Sequence, residues 1–366
     1  MEGNNFMNCI ELMHLKAKLL CHGVKADNHT KHYMERVNPY VLDKGFMHAA
    51  HFVIDDLIVN TCISESFCDK STFVIKERDG VFELFDNDCF VSKIDILPLP
   101  EWCDEYVEGY RIGDYLRPHS NHCIACWPYL KCNYYALGKQ CHFCSMGDYK
   151  IKTILPESVV GEMIKVAILN NPNYEVALSG GTCHEPDHSI IYFSKVCEIA
   201  RKNNAGYISV ETAPPNELFY IDELKKSGAT AIIMNLEVAD EELRKKICPG
   251  KAAISQLHYL YAYERAVNIF GAGNVSCVLI AGIQNAEDII NKSAELISIG
   301  VVPTIIPFKP LDGCNMREHP ATNPDELILI ATEVDKLLHK HSLAASNQKG
   351  CTKCNGCSLE TIVEQL

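Results

Sequence analysis

Long apolar runs are missing from this chain of 366 residues. Even the stretch at 278–283 is far shorter than the roughly 20 apolar residues that a transmembrane helix needs, so we expect no membrane partner. The first residues do not combine a basic segment with an apolar one, which is the pattern of a secretory signal. The sequence therefore predicts a cytoplasmic protein.

The chain also lacks an excess of positive charge. It has 34 Lys and Arg residues against 47 Asp and Glu residues, a formal net charge of −13. Proteins that bind nucleic acid carry a basic footprint, so this balance argues against a nucleic-acid partner. Hydrophobic residues make up 47% of the chain, which excludes global disorder. We find no internal repeat and no low-complexity tract.

Cysteine, in contrast, is abundant. The chain has 19 cysteines, an odd number, and many of them are clustered. Disulfide scaffolds are short secreted domains, which this chain does not resemble. In a reducing compartment, clustered thiolates are more often metal ligands or catalytic groups. The composition therefore predicts a metal-binding protein.

Two sequence patterns divide the chain. Apolar spacing predicts that residues 1–60 are largely helical, with helices at 7–20 and in parts of 46–59. Residues 71–97 are predicted to form a β-hairpin that turns at Asp79 and Gly80. From about residue 120, short apolar strands alternate with helices, which indicates a parallel sheet with covering helices. The predicted strands are 175–179, 206–211, 229–234, 275–280 and 301–306, with a first strand near Ile124 or just before Cys132. The predicted helices are 190–203, 216–227, 253–270, 286–299 and 323–341.

The predicted fold class is α/β, with six strand–helix units in a partial or full β/α barrel. We expect three domains. Residues 1–115 would form an N-terminal α+β accessory domain, residues 116–320 the barrel, and residues 321–366 a C-terminal helix with a cysteine-rich extension. In such barrels the reacting groups lie at the carboxyl ends of the strands.

The first chemical motif is a group of three cysteines, Cys132, Cys141 and Cys144, beside the predicted first strand. Structural zinc needs four ligands, usually from two separated pairs of cysteines. Three thiolates fit an iron–sulfur cubane better, because they leave one iron open to a substrate. Gly180, Gly181 and Thr182 follow the strand at 175–179, and glycines there allow a ligand to approach the backbone.

These motifs together resemble the radical S-adenosylmethionine (radical SAM) superfamily. The family motif is Cys-x3-Cys-x-aromatic-Cys, and this chain has five more residues between its first two cysteines. The resemblance implies that the three cysteines hold a [4Fe-4S] cluster whose open iron chelates SAM. It also implies that Phe143 packs near the adenine, and that the methionine amino group of SAM meets Gly180, Gly181 and Thr182.

Three later segments extend the resemblance. Residues 234–237 are similar to a segment of biotin synthase and lipoyl synthase, which implies that Asn235 and Glu237 reach the SAM ribose or the substrate. Glu211, which ends the third predicted strand, is a similar candidate. Residues 279–284 and 306–310 resemble the ends of the fifth and sixth strands, which implies adenine contacts at Gly282 and at the backbone of Phe308.

A second group of cysteines, Cys351, Cys354 and Cys357, lies near the end of the chain. Three thiolates in seven residues are typical of ferredoxin-type cluster ligands. We interpret them as the site of a second, auxiliary [4Fe-4S] cluster, with zinc as the alternative. The fourth ligand is Cys314, His319 or another cysteine, or the fourth position is open for substrate or a bridging sulfur.

The resemblance implies an enzyme that cleaves SAM reductively, so that a 5′-deoxyadenosyl radical removes hydrogen from a substrate. The partners would be a small biosynthetic molecule or a carrier-bound intermediate, and an electron donor of flavodoxin or ferredoxin type. The auxiliary cluster favours sulfur insertion, hence a transferase, and an open cubane predicts an oxygen-sensitive, anaerobic enzyme. The alternatives are a lyase, a rearrangement or an oxidation, and a non-catalytic carrier of iron–sulfur clusters.

Overall fold

The computed structural model describes residues 7–44, 50–148, 153–183, 186–344, 348–350, 354 and 356–366. In these ranges no helix is both long and apolar enough to cross a membrane. The strands are β1 (Lys25–Ala26), β2 (Ala50–Ile54), β3 (Leu57–Thr61), β4 (Phe73–Arg78), β5 (Val81–Asp86), β6 (Cys89–Ile96), β7 (Tyr106–Val107), β8 (Tyr110–Arg111), β9 (Leu116–Pro118), β10 (Cys123–Cys126), β11 (Glu175–Leu178), β12 (Tyr207–Glu211), β13 (Ala231–Ile233), β14 (Val275–Ala281) and β15 (Val302–Pro307). The α-helices are α1 (Cys9–His22), α2 (Asn28–Val37), α3 (Asn133–Ala136), α4 (Glu157–Asn170), α5 (Ile190–Lys202), α6 (Phe219–Lys226), α7 (Glu241–Ile247), α8 (Gln256–Phe270), α9 (Ala286–Ser298), α10 (Pro324–Lys340) and α11 (Glu360–Val363).

The larger sheet has seven strands in the order β15-β14-β13-β12-β11-β10-β9. Strands β10 to β15 are parallel, and β9 pairs with β10 in the antiparallel direction. Because each of the six parallel strands neighbours the next one in sequence, and helices lie between them in the chain, the fold is a partial β/α barrel. This confirms the predicted fold class.

The parallel strands form where the sequence is apolar on both faces. In β14 every residue except Val278 is buried, as expected for a strand that is covered on both sides. The helices begin at capping side chains, since Asn285 accepts from the N–H of Glu287 at α9 and Asn323 accepts from the N–H of Asp325 at α10. The predicted strands and helices of this half are confirmed, with ends that differ by a few residues.

The smaller sheet, in the order β1-β4-β5-β6-β2-β3, corrects one prediction. The helical pattern predicted in 46–59 is wrong over its described part, because β2 and β3 form a hairpin there, and residues 45–49 lie outside the described ranges. Asp55 and Asp56 have φ of 46° and 67°, the left-handed values of a tight hairpin turn. The predicted hairpin at 71–97 is confirmed and has a third strand, β6, paired with β5.

The C-terminal segment covers the edge of the barrel at β15. The backbone N–H of Ile305 in β15 donates to Glu360 Oε1 (2.7 Å), and Cys354 Sγ lies 3.5 Å from the carbonyl oxygen of His119, just after β9. The N–H of Asn60 in β3 donates to the carbonyl oxygen of Gly356 (2.7 Å). The small sheet and the C-terminal segment therefore form part of the wall around the barrel interior.

Candidate active site

A cavity of about 310 Å³ occupies the interior of the barrel. Most of the side chains predicted as site residues line it, although they come from distant parts of the sequence. These residues are Cys132, Cys141, Phe143, Cys144, Gly180, Gly181, Thr182, Glu211, Asn235, Glu237, Phe308, Cys354 and Cys357. Gly282 and Cys314 are described but do not line the cavity, and Cys351 lies outside the described residues.

Backbone hydrogen bonds attach the first cysteine loop to three parts of the barrel. The N–H of Asn133 donates to the carbonyl oxygen of Thr182 (3.0 Å), which fixes the loop to the end of β11. The N–H of His142 donates to Ile247 at the end of α7 (2.8 Å), and the N–H of Met316 donates to His142 (3.2 Å). The position of the loop is thus set by contacts across the barrel mouth.

The three thiols of this loop are protonated in the absence of a bound cation. Burial raises the pKa of Cys132, and burial raises the pKa of Cys144 to about 11. A hydrogen bond with Cys248, together with burial, raises the pKa of Cys141 well above its usual value. The N–H of Met146 donates to Cys144 Sγ (3.4 Å), and such bonds stabilise a thiolate. A metal group that binds here must displace protons.

The donor set fits an iron–sulfur cluster better than a single metal ion. Across the described ranges, no three His, Cys, Asp or Glu side chains are grouped closely enough to hold one ion. Each thiolate of a cubane binds a different iron, so the cubane ligands need not converge on a point. Cys132, Cys141 and Cys144 surround part of one cavity, as the ligands of a larger group would.

The glycines after β11 are required by close packing against the first cysteine loop. A Cβ atom on Gly181 would overlap the carbonyl oxygen of Lys131 and would lie 2.7 Å from Cys132 Cβ. A Cβ atom on Gly180 would lie 2.6 Å from the ring of Tyr129. The two glycines therefore let the end of β11 approach the segment that carries the first cysteine.

A buried hydrogen-bond network joins the carboxyl ends of β11, β12 and β13. Glu211 accepts from Ser179 Oγ (2.8 Å) and from Asn235 Nδ2 (2.7 Å). Asn235 Oδ1 in turn accepts from the N–H of Val278 (3.1 Å), so both ends of this amide are used within the fold. Burial raises the pKa of Glu211, while Ser179 opposes the shift. Glu211, Asn235 and Ser179 all line the cavity, so this network forms part of its wall.

Glu237 and Lys251 form a buried ion pair in the cavity wall (2.6 Å). Glu237 has a φ of 69°, a left-handed value that is rare outside glycine, and the Arg244 guanidinium donates to the carbonyl oxygens of Leu236 (3.2 Å) and Lys251 (2.9 Å). Burial lowers the pKa of Lys251, but Glu237 and Cys141 overcome this effect and raise it well above its usual value. The sequence analysis missed Lys251, although it directly follows the Pro–Gly turn at 249–250.

Three predicted residues have contacts that differ from those expected. The N–H of Phe308 donates to the carbonyl oxygen of Ala281 (3.0 Å), and its own carbonyl oxygen accepts from Thr322, so both backbone groups are already paired within the fold. Gly282 has a φ of 83°, and a Cβ atom there would overlap Thr322 Oγ1, which explains glycine by packing. Cys314 is buried in an apolar cluster that also includes Cys141 of the first cysteine loop.

The second cysteine region, around Cys354 and Cys357, has positively charged lysines close to its thiols. Burial raises the pKa of Cys357 to about 11, while the positive charges of Lys309 and Lys16 oppose the shift. Burial lowers the pKa of Lys16 in α1 to about 8, against the opposing effect of Cys354. His51 and His119 line the same part of the cavity, with ring centroids 4.7 Å apart. The sequence analysis did not identify His51 or Lys16 as site residues.

Comparisons with known proteins agree with this geometry. Residues 128–291 match the family model of the radical SAM superfamily. Bacteriochlorophyllide c C-7(1)-hydroxylase of Chlorobaculum limnaeum is 30% identical over 158 residues, and this match spans 41% of the chain but only 39% of that protein. The crystal structure of methylornithine synthase has the same fold, with a TM-score of 0.50, 18% identity, and coverage of 69% of this chain and 71% of that one. Residues 128–291 are therefore similar to the radical SAM superfamily, whose enzymes use a [4Fe-4S] cluster and SAM.

Proposed function

We propose that this chain is a radical SAM enzyme in which Cys132, Cys141 and Cys144 hold the [4Fe-4S] cluster and a small biosynthetic molecule binds in the barrel cavity. The observation that supports this most is that the two cysteine regions open on one cavity. When bound, the cluster and SAM supply a 5′-deoxyadenosyl radical that removes one hydrogen atom from the substrate.

The residues of the chain position the reactants and exclude water. The Glu237–Lys251 pair offers both a carboxylate and an ammonium group to the polar parts of SAM, close to Cys141. Gly180, Gly181 and Thr182 present backbone to the same region. Buried apolar side chains, such as Ile280 and Leu178, form much of the wall, and a dry cavity protects a radical from side reactions.

We infer that Cys354 and Cys357 would hold a second iron–sulfur cluster, which would supply sulfur to the carbon that has lost its hydrogen. Both thiols line the cavity that the first cysteine loop also lines, so a substrate between the two regions is in reach of both. Lys16 and Lys309 offset the negative charge of the thiolates there. The sequence predicts Cys351, three residues before Cys354, as a further ligand of this cluster.

Oxidation at the same carbon is the second candidate, because the relative from Chlorobaculum limnaeum is named as a hydroxylase. In that reaction the second cluster would supply an acceptor for the electron left on the substrate carbon, and water would supply the oxygen and release a proton as the C–O bond forms. High-resolution mass spectrometry separates the two candidates. A metabolite extract incubated with the reconstituted enzyme, SAM and dithionite would yield a species that has gained sulfur or one that has gained oxygen.

The test of the proposal is anaerobic SAM cleavage by dithionite-reduced enzyme without substrate, measured as 5′-deoxyadenosine. We expect Cys141→Ala to abolish cleavage and Cys354→Ala to retain it while losing the product made from the extract. Cys197→Ala is the matched control, because Cys197 is a buried thiol in α5 that does not line the cavity. Cleavage by Cys141→Ala at the wild-type rate would refute the assignment of the first site.

A further inference from the structure

Asn60 in β3 lines the cavity and is held in place by three hydrogen bonds. Its backbone N–H donates to Gly356, and its carbonyl oxygen accepts from Lys309 Nζ (3.1 Å). Its side-chain Nδ2 donates to Nε2 of His51 (3.1 Å), which fixes the orientation of the amide. Asn60 is only 1% exposed, so neither its backbone nor its amide is free to turn.

The remaining polar atom of this residue, Asn60 Oδ1, is buried and has no hydrogen-bond partner in the described part of the chain. A buried acceptor without a donor costs free energy, so such atoms are rare and call for a partner. Because Asn60 lines the cavity, Oδ1 is the atom that it offers to a bound molecule.

The wall of the cavity as a whole is mainly apolar. It includes Ala125, Trp127, Ala177, Val278 and Ile306 from four of the parallel strands and the residue after β10. A preformed acceptor in an apolar wall selects a molecule with a matching donor, because a molecule without one leaves the acceptor unpaired.

We infer that Asn60 is a specificity-determining residue, whose Oδ1 accepts a hydrogen bond from an N–H or O–H group on a mainly apolar substrate. This inference rests on the proposed function, because it assigns a substrate class to the same cavity. His51 is a positioning residue in this arrangement, since it acts through the amide of Asn60 and not on the substrate.

Three indoles test the inference without the natural substrate. Indole and 3-methylindole both carry the ring N–H, whereas 1-methylindole has the size of 3-methylindole but no donor. Binding is measured by isothermal titration calorimetry, under anaerobic conditions, on the full chain reconstituted with iron, sulfide and SAM. We expect indole and 3-methylindole to bind about tenfold more tightly than 1-methylindole, the effect of one buried hydrogen bond.

Variants locate the preference at one atom. Asn60→Leu should bind all three indoles with similar affinity, whereas Asn60→Asp keeps an acceptor and should keep the preference for N–H. Asn173→Leu, an exposed asparagine before β11, is the control and should behave like wild type. The wild-type comparison of the methylindoles needs no variant, so it stands even if Asn60→Leu fails to fold.

Equal affinity for the two methylindoles, no binding of indole, or a preference that persists in Asn60→Leu would each overturn the inference. SAM cleavage is measured on the same samples, so that a failure of the inference about Asn60 can be distinguished from a failure of the proposed function. Intact cleavage without an N–H preference refutes the role of Asn60 alone, whereas absent cleavage refutes the radical SAM assignment whatever the indoles show.

Discussion

The two cysteine regions of this protein line one cavity but are built in different ways. Cys132, Cys141 and Cys144 lie within one loop after β10, and the loop is attached to Thr182 after β11, to the end of α7 and to Met316 after β15. Cys354 and Cys357 lie on a C-terminal segment that is held by β3 and by the turn after β9, hundreds of residues away. The strand order of the barrel determines the position of the first region, whereas contacts with distant parts of the sequence determine the position of the second.

Their buried lysines show the same difference. At the first region Lys251 has a carboxylate partner 2.6 Å away, and its pKa is raised. At the second region burial lowers the pKa of Lys16 to about 8, although Cys354 and the carboxylate of Glu360 oppose the shift. A raised pKa means that the ion pair of Lys251 favours the folded chain without a cluster, whereas a lowered pKa means that the charge of Lys16 costs the folded chain free energy. The comparison indicates that the first region is preformed and that the second depends more on what it binds.

The largest effect is expected from Gly181→Ala, which breaks the preformed region. The added Cβ would overlap the carbonyl oxygen of Lys131, which is backbone and cannot turn away, so the first cysteine loop must move. We expect loss of SAM cleavage and loss of the iron bound by Cys132, Cys141 and Cys144, measured by 5′-deoxyadenosine release and iron content.

Gly206→Ala is the matched control for that change. A Cβ atom there meets no heavy atom within 4 Å, and Gly206 precedes β12 just as Gly181 follows β11. It should retain iron and activity. If Gly181→Ala retained both as well, the close packing of the first loop would have no functional role.

A smaller effect is expected from Lys251→Met, which leaves Glu237 buried without its ion-pair partner. Removing one member of a buried pair typically costs about 3–5 kcal/mol of folding free energy. Urea unfolding of the protein without cluster should show this loss, and Lys251→Met combined with Glu237→Gln should recover much of it. Equal stabilities for the single and double variants would show that the pair is not coupled.

The smallest effect is expected at Lys16, and it depends on pH. Because burial lowers the folded-state pKa of Lys16 from 10.5 to about 8, its charge penalises the folded state below pH 8. The penalty disappears as pH rises from 8 to 10.5, since the unfolded chain then loses its proton too. The stability gained in Lys16→Met relative to wild type should therefore shrink by roughly 3 kcal/mol across this range. A difference that stays constant with pH would contradict the lowered pKa.

The sequence predicted the barrel because local patterns decide it. Strands such as Val275–Ala281 are apolar on both faces. The motif residues follow successive parallel strands, so the fold brings them together at one cavity. The hairpin of β2 and β3 was missed because its turn, Asp55–Asp56, lacks the glycine that usually marks one. Its apolar residues, spaced over so short a run, are compatible with either a helix or a strand.

Residues that act through long-range contacts could not be predicted. Asn60 and His51 belong to a sheet outside the barrel, and no spacing in the sequence relates them to Cys354. Cofactor contacts at Gly282 and at the backbone of Phe308 are predictions from resemblance, and the structure shows in addition that Gly282 packs against Thr322 and that Phe308 pairs with Ala281. A motif shows that a residue type is needed, but only its neighbours show why.

The most direct test of the central claim is the iron and acid-labile sulfide content after anaerobic reconstitution. It should be measured for wild type and for a triple variant with alanine at Cys351, Cys354 and Cys357. If the two cysteine regions hold separate clusters, about eight irons per chain should fall to about four, and SAM cleavage should persist. About four irons in both proteins would contradict the account, because the C-terminal cysteines would then hold no second cluster.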